Sequence, residues 1–434
     1  MNQLDGNAAI TRRTWLGGAA AAGASALLPA LPSFAQAPAA WPNVTRLIGR
    51  YVDGRKVANM VVALGFGQAE PAYIAAGVDT FGQPRKSDAA SIYRIYSMTK
   101  PITAMAAMML IDQGKLGLDQ PLYEILPRFR TMKVQKKYDG PITPDNLEPA
   151  IRPITIRQLL THTSGLGYGI VQQGPIAQAF RDRGIVPARV SRLQNVPGFR
   201  GTAVPSLALF ADRLAELPLV YQPGTKWSYS MGLDVMGRVI EVVSGQPFDR
   251  FLQQHFFDPL VMSDTHFQLP RKDAARMTSN YYVTAGALLP IDLGSDSVFA
   301  DKPPFPFGGA GLVSTARDYD RFLRMLVNYG VVGGKRVMSE RAIRLGTGNL
   351  LPATLLPDGG YNPDWDFGAG GRVGRGTNAG AYGWAGAAST LGFVHFPSGL
   401  RAGLFTQFMQ EGLPALIEEF PAAIRADLGA MARV

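Results

Sequence analysis

Apolar residues recur along this chain in two patterns, and the first of them predicts strands. Short runs rich in β-branched and aromatic residues lie near both ends of the chain. They are VANMVVALGF (57–66), AYIAAGV (72–78) and SIYRIY (91–96) at the beginning, and LGFVHF (391–396) and LRAGLFTQF (400–408) at the end. Turn residues separate the runs, and this arrangement predicts an antiparallel sheet built from both ends of the chain.

The second pattern repeats every three to four residues and predicts helices. The predicted helices cover residues 44–52, 97–113, 232–244, 317–330 and 412–428. Ser97 and Pro101 mark the start of the predicted helix over 97–113, and Gly114 marks its end. Its side chains are apolar on nearly every face, which predicts a helix buried at the centre of the fold.

Strands at both ends with helices between them predict an α+β fold. Residues 38–127 together with 307–434 are expected to form one domain, an antiparallel sheet flanked by helices. Residues 128–306 are expected to form a mainly helical insertion domain. The chain has 434 residues, which agrees with more than one structural unit at about 150 residues per domain.

Residues 1–37 have the pattern of an export signal. Arg12 and Arg13 precede a weakly apolar stretch rich in Ala and Gly, and Ala35 and Ala37 surround a cleavage site. The paired arginines indicate a twin-arginine signal peptide, so the mature protein is predicted to be periplasmic or secreted. The alternative is a transmembrane anchor. Residues 16–31 are broken by Gly and Pro and are shorter than the roughly 20 residues of a span, so we expect no stable membrane anchor.

The composition excludes several kinds of catalytic site. The sequence has no cysteine, which excludes disulfides and thiolate nucleophiles, and its four histidines lack the helical spacing of a zinc hydrolase. The net charge of +10 comes from scattered basic residues without a long run, so a solvated basic surface is expected and a nucleic-acid partner is not. We therefore expect no metal and no cofactor, and chemistry built mostly from Ser, Lys, Tyr, Asp, Glu and Arg.

Ser97 and Lys100 form the one Ser-x-x-Lys pair in the sequence. On a helix the two side chains share a face, and the free N–H groups at the helix start favour a developing negative charge. A serine hydroxyl needs a neighbour that takes its proton, and a lysine desolvated in a cleft can help to do so. In the alternative interpretation, Ser97 only caps the helix and Lys100 reaches solvent.

Five segments carry a resemblance to a known family. They are YSMTKPITAMAAMMLIDQGKLGLD (96–119), LLTHTSGL (159–166), PGTKWSYSMGLDVMGRVIEVVSGQP (223–247), GGAGLVSTARDYDRF (308–322) and GWAGAAST (383–390). In this order they resemble the serine β-lactamase and penicillin-binding protein superfamily, in particular its class C-like branch and the family VIII carboxylesterases. The resemblance implies a β-lactamase/transpeptidase-like fold and a catalytic serine, Ser97, that is activated by Lys100.

The resemblance also assigns roles around Tyr229. Tyr229-Ser230-Met231 stands where the family has Tyr-x-Asn, which makes Tyr229 the implied general base. Met231 departs from the pattern. The family's asparagine helps to hold a substrate amide, so Met231 is the expected substrate contact here, and its presence weakens the case for penicillin or peptidoglycan as a substrate.

A third motif is expected on a strand opposite the serine. Trp384-Ala385-Gly386 stands where the lactamases have Lys-Thr-Gly, and these three residues are the implied substrate-binding strand. Tryptophan replaces a cation by an apolar wall, which suits a neutral ester and is similar to the family VIII esterases. The backbone N–H groups of Ser97 and Ala387 are the implied oxyanion hole.

The sequence thus predicts a serine hydrolase that cleaves small acyl esters through an acyl-serine intermediate. Two alternatives remain open. One is a β-lactamase, D-alanyl-D-alanine carboxypeptidase or amide-oligomer hydrolase with the same site, and the other is a non-enzymatic binding protein. His162 and Ser164 also invite a histidine-assisted mechanism, but the chain has no Gly-x-Ser-x-Gly motif, and in the resembling family this segment is structural.

Overall fold

The computed structural model describes residues 38–193, 201–284, 286–355 and 364–433. The predicted export signal in residues 1–37 lies outside the described residues. The helices are α1 (Pro42–Val52), α2 (Thr99–Asp112), α3 (Ile156–Leu160), α4 (Pro175–Asp182), α5 (Leu207–Leu214), α6 (Gly232–Ser244), α7 (Phe248–Leu252), α8 (Ala316–Val327), α9 (Glu340–Gly346) and α10 (Leu416–Met431). The strands are β1 (Asn59–Phe66), β2 (Ala72–Gly77), β3 (Ile92–Arg94), β4 (Lys133–Gln135), β5 (Leu147–Pro149), β6 (Asn280–Thr284), β7 (Ala287–Asp292), β8 (Val313–Thr315), β9 (Val331–Val332), β10 (Lys335–Arg336), β11 (Trp365–Phe367), β12 (Arg372–Gly374), β13 (Ala381–Gly386), β14 (Thr390–His395), β15 (Leu400–Phe405) and β16 (Phe408–Met409).

The main sheet draws its strands from both ends of the chain, as the apolar runs predicted. It has seven antiparallel strands in the order β11-β12-β13-β14-β15-β1-β2. Val62 of β1 pairs with Leu404 of β15 on one side and with Ile74 of β2 on the other. Early and late segments of the chain are therefore joined in one sheet through the neighbouring strands β1 and β15.

Helices cover both faces of this sheet. Alternate residues of β1 point to opposite sides, as in any strand. Met60, Val62 and Leu64 belong to the core shared with α1 and α10, whereas Val61 and Ala63 belong to the larger core that contains α2 and α8. Because both faces are covered, the sequence of β1 is an almost continuous apolar run instead of an alternation of apolar and polar residues.

α2 is the buried central helix that its sequence predicted. Every residue from Thr99 to Leu110 is buried, and α6 and α9 pack against it. Its start differs from the prediction. Ser97 lies in a single turn of 3-10 helix, Tyr96–Met98, and α2 follows at Thr99 with no side-chain cap. Ser97 is therefore not a capping residue.

The predicted strand run 91–96 does not join the main sheet. Only β3 forms, and it pairs with β8 in a separate two-stranded sheet. The reason is Arg94, which is fully buried and donates from Nε to Asp292 at 2.7 Å. This ion pair ties β3 to β7, and the contact of β3 with β1 is a side-chain hydrogen bond from the Tyr93 hydroxyl to Asn59 Oδ1 at 2.9 Å.

The middle of the chain holds α3 to α7 and four short strands, and it packs against α2 through α6. The domain boundaries at 127/128 and 306/307 stay a prediction. Within the described ranges, no helix combines the length and the apolar character needed to cross a lipid bilayer.

Candidate active site

Ser97 occupies the strained turn that precedes α2. The residue before it, Tyr96, has φ of 39°, a conformation that costs energy for any residue other than glycine. Buried contacts hold this turn in place, since the Tyr96 ring packs against Phe299 and its hydroxyl accepts a hydrogen bond from Asn280 Nδ2 at 3.2 Å. The turn presents the Ser97 hydroxyl to a cavity while the residue stays 8% exposed.

Lys100 reaches Ser97 from inside the protein. Its side chain is fully buried, and Nζ donates to Ser97 Oγ at 3.2 Å and to the Gly309 carbonyl at 2.8 Å. The ammonium group also lies 4.5 Å from the ring centroid of Tyr229 and 5.5 Å from that of Tyr168. These contacts replace the water that the cation loses on burial. No carboxylate in the described part of the chain forms a direct ion pair with it.

A balancing charge comes from Asp234, which is linked to Lys100 through one residue, Gly309. The Gly309 N–H donates to Asp234 Oδ1 at 2.8 Å, and the carbonyl of the same glycine accepts from Lys100. Burial raises the pKa of Asp234 to about 6, and the positive charge of Lys100 opposes that rise. A Cβ atom at position 309 would stand 2.5 Å from Asp234 Oδ2, so this arrangement requires glycine there.

Tyr229 completes the contacts of the Ser97 hydroxyl. Its own hydroxyl forms a 2.7 Å hydrogen bond with Ser97 Oγ and accepts another from Trp384 Nε1 at 3.3 Å. Aromatic neighbours fix the ring, with His162 at 4.7 Å and Trp227 at 6.3 Å between centroids. The phenol oxygen is thus held between a serine and an indole N–H, and the Lys100 cation lies over the ring.

His162 supports Tyr229 and does not reach the serine. Its Nδ1 accepts from the Ser230 amide at 3.2 Å, which fixes the ring against Tyr229. Burial, and secondarily the charge of Lys100, lowers the pKa of His162 well below its usual value, so the ring is neutral. Neither His162 nor Ser164 lines the cavity. The geometry agrees with a structural role for this segment.

The end of β13 lies beside Ser97. A Cβ atom on Gly386 would stand 2.4 Å from the carbonyl oxygen of Ile95, so only glycine allows the strand to approach the Ser97 turn this closely. Ala387 follows the strand, and its N–H donates to no backbone carbonyl among the described residues. An amide in this position can bind the oxygen of a substrate carbonyl.

These residues border one cavity of about 990 Å³. It runs from Ser97 and Tyr229 over the free edge of β13 to α10, and its walls are mainly aromatic and aliphatic. β12 pairs only with Tyr382 and Gly383 of β13, which leaves residues 384–386 as an edge that the cavity crosses. A cavity of this size accommodates a ligand of drug-like dimensions.

Most of the residues predicted from the sequence meet here. Ser97, Lys100, Tyr229 and Trp384 are linked by hydrogen bonds, and Ala385, Gly386 and Ala387 line the cavity.

The predicted substrate contact at Met231 needs correction. Its side chain is fully buried in the core at the start of α6, and it does not line the cavity. The chain turns inward there because α6 packs on α2 and α3.

Sequence reasoning missed three residues of the site, Asp234, Gly309 and Arg372. Asp234 stands in the first turn of α6, where an acidic residue is ordinarily explained by the helix dipole. Nothing in the sequence brings it near Lys100. Among the described residues, no group of three or more His, Asp or Glu side chains is arranged to hold a metal ion.

A serine contacted by a buried lysine and a tyrosine, beside the edge of an antiparallel sheet, defines a class of serine hydrolases. The chain belongs to the Beta-lactamase family, whose model matches residues 44–417. This family assignment agrees with the resemblance seen in the sequence.

The relatives of the chain include esterases. Esterase EstB of Burkholderia gladioli is 31% identical over 357 residues, which cover 76% of this chain and 81% of EstB. The lovastatin esterase of Penicillium rubens is 32% identical over 253 residues, 58% of each chain. A protein of Mycobacterium tuberculosis is 38% identical over 265 residues. The match to this mycobacterial protein spans 61% of this chain and 60% of the relative.

Solved structures share the fold. EstCE1, described as a hydrolase with promiscuous acyltransferase activity, superposes with a TM-score of 0.71 at 24% identity, covering 89% of this chain and 97% of its own. The simvastatin synthase LovD of Aspergillus terreus, in a mutant form, gives 0.70 at 21% identity, with coverages of 90% and 97%. At these identities the likeness is one of fold.

Proposed function

We propose that this protein is a carboxylesterase that hydrolyses small acyl esters through an acyl-Ser97 intermediate. The observation that carries the proposal is the position of Ser97 Oγ, which is 3.2 Å from Lys100 Nζ and 2.7 Å from the Tyr229 hydroxyl. A hydroxyl with a cation and a proton acceptor at these distances can become a nucleophile without a histidine.

The geometry supports the following mechanism. Tyr229 acts as a phenolate whose negative charge the Lys100 cation stabilises, and it takes the proton of Ser97 as Oγ attacks the ester carbonyl and becomes a neutral phenol. The N–H groups of Ser97 and Ala387 bind the carbonyl oxygen of the tetrahedral intermediate. Tyr229 then returns the proton to the leaving alcohol, and the acyl group stays on Ser97. Water, activated by Tyr229 in the same way, releases the acid.

An ester is favoured over a lactam by the residues around the serine. Trp384 supplies an apolar ring and one N–H where a lysine would bind a lactam carboxylate, and the cavity beyond it is mainly apolar. EstB and the lovastatin esterase, both named as esterases, add support from outside the structure. Export through a twin-arginine signal in residues 1–37, with a periplasmic or secreted mature protein, belongs to the same proposal.

Turnover of p-nitrophenyl butyrate and of nitrocefin by the purified protein tests the proposal. We expect ester turnover to exceed lactam turnover and to vanish in Ser97→Ala. The acyl group should appear on Ser97 by intact-mass measurement after brief exposure to the ester. Ester hydrolysis that persists in Ser97→Ala would refute the mechanism, and lactam turnover above ester turnover would refute the substrate class.

A further inference from the structure

One of the arginines that line the cavity has no role in the mechanism proposed above. The charged residues that line it are Arg181, Arg372, Arg425 and Glu411, so its lining carries an excess of positive charge. Arg372 is the member of this set that stands beside the reacting groups. Its guanidinium carbon lies 5.3 Å from the ring centroid of Trp384, the residue that donates to the Tyr229 hydroxyl.

Two aromatic rings hold Arg372 in place, and among the described residues no acidic side chain pairs with it. The guanidinium lies over two indole rings. Its carbon is 5.3 Å from the ring centroid of Trp384 and 5.8 Å from that of Trp365. Cation–π contacts of this kind orient an arginine without consuming its hydrogen-bond donors. No carboxylate in the described ranges pairs with Arg372, and its buried Nε has no hydrogen-bond partner there. Asp366, on the neighbouring strand, is engaged with Arg375 at 3.6 Å.

Arg372 is half-buried and lines the cavity, so a ligand there can supply a hydrogen-bond partner for its guanidinium. A guanidinium presents a planar set of donors that matches a carboxylate in two parallel hydrogen bonds. The sequence indicated that Trp384 removed the cation of the site. In the folded protein Arg372 returns a cation to the same wall, one aromatic ring further from Ser97.

The position of Arg372 also indicates which part of an ester it would meet. Tyr229 returns its proton to the leaving alcohol, so the alcohol must lie on the Tyr229 side of Ser97. Trp384 borders that side through its hydrogen bond to Tyr229, and Arg372 stacks on Trp384. We propose that Arg372 binds a carboxylate on the alcohol part of the substrate, so that the preferred substrates are acyl esters of hydroxy acids. This inference rests on the proposed esterase function.

A matched pair of esters tests it. 4-Acetoxybenzoate carries a carboxylate on the leaving phenol, and methyl 4-acetoxybenzoate is its neutral counterpart. For each protein the measured quantity is the ratio of the two kcat/KM values, anionic over neutral, at low salt. Arg372→Met should lower this ratio about tenfold or more, mainly through KM of the anionic ester, because it removes a charge-assisted contact far from the reacting bond.

Two control variants show whether the effect is specific to the charge at position 372. Arg372→Lys keeps the charge and should retain most of the ratio. Arg375→Met removes the same charge three positions away, outside the cavity lining, and should leave the ratio as in the wild type.

A wild-type ratio that survives in Arg372→Met, or falls equally in Arg375→Met, overturns the inference while neutral ester hydrolysis still supports the esterase. Failure of the wild type to hydrolyse either ester overturns both proposals.

Discussion

Among single residues, Asp234 changes the picture of the site most. A lysine that is fully buried beside a serine needs a balancing charge, and here the charge acts through Gly309 instead of through direct contact. Asp234 accepts from the Gly309 N–H, and the carbonyl of the same residue accepts from Lys100, so two adjoining peptide groups link the carboxylate to the cation. Asp234 touches no reacting atom, so it is a positioning residue for Lys100.

The pKa of Asp234, about 6, predicts an acid limb in the activity. Above this pH the carboxyl group is charged, and as the pH falls through 6 it takes up a proton and no longer balances Lys100. We expect kcat/KM for a neutral ester to fall below pH 6 in the wild type. Asp234→Asn should be about tenfold slower at pH 8, because the hydrogen bond from Gly309 then goes to a neutral acceptor and the charge that balances Lys100 is lost, and should lack this limb.

The control for this prediction is Asp318, a second buried carboxyl group whose pKa is raised to about 6. Its carboxyl group contacts Thr265 and Arg321 and not Gly309 or Lys100, so Asp318→Asn should keep the acid limb. Persistence of the limb in Asp234→Asn would show that another group causes it.

The three groups at the serine are expected to act as a unit. Lys100→Ala and Tyr229→Phe should each lower kcat for p-nitrophenyl butyrate by several powers of ten, and the double variant should be little worse than either, since each alone breaks the proton path. Single-turnover rates measure this directly. Near-native activity in Tyr229→Phe would assign the base to another residue, and additive losses would contradict a concerted site.

At the scale of elements, the site depends on how closely β13 approaches the turn before α2. That approach is possible because Gly386 has no side chain, and it brings Ala387 and Trp384 to the cavity that Ser97 also lines. The strand and the turn are far apart in sequence and make a direct contact in the fold. The proposed oxyanion site is therefore formed by two elements together.

Gly386→Ala should separate these elements. The new Cβ atom would lie 2.2 Å from Thr390 Oγ1 and 2.4 Å from the Ile95 carbonyl, so the strand must shift. We expect a loss of about 1–3 kcal/mol in unfolding free energy, measured with urea, together with a fall in kcat. Gly429→Ala, on α10 where a Cβ atom meets nothing within 4 Å, should instead be neutral or stabilising. Full activity in Gly386→Ala would contradict the tight approach.

For the whole molecule, buried ion pairs join parts of the chain that the sheet alone does not connect. Arg94 of β3 binds Asp292 of β7 and also donates to Gln407, just beyond β15. Arg401 of β15 binds Asp320 of α8 at 2.7 Å, with both side chains buried. Such pairs are costly to break, because removal of one partner leaves a buried charge alone.

Arg94→Met should therefore destabilise the fold by about 3–5 kcal/mol in urea unfolding. The double variant Arg94→Met/Asp292→Leu should recover part of this loss, since no buried charge remains. Glu340→Gln, which breaks an exposed pair with Arg344, serves as the control and should cost less than about 0.5 kcal/mol. A small loss in Arg94→Met would show that the pair does not hold β3 and β7 together.

Local pattern and residue type were enough to predict the sheet strands, the central helix and the three residues at the nucleophile. Apolar runs predicted sheet strands at both ends of the chain, and a helix that is apolar on nearly every face predicted the buried α2, because burial of apolar surface stabilises both. Motif order singled out Ser97, Lys100 and Tyr229, since few residue types can make a serine nucleophilic.

Only the tertiary structure decided what surrounds these residues. Lys100 and Gly309 are 209 positions apart, and no local pattern reports their contact. The same holds for Asp234 beneath Lys100, for Arg372 over Trp384, and for Met231, which the motif placed at the substrate and the fold turns into the core. Charge balance and cavity shape depend on distances between elements, and those distances exist only once the elements are packed together.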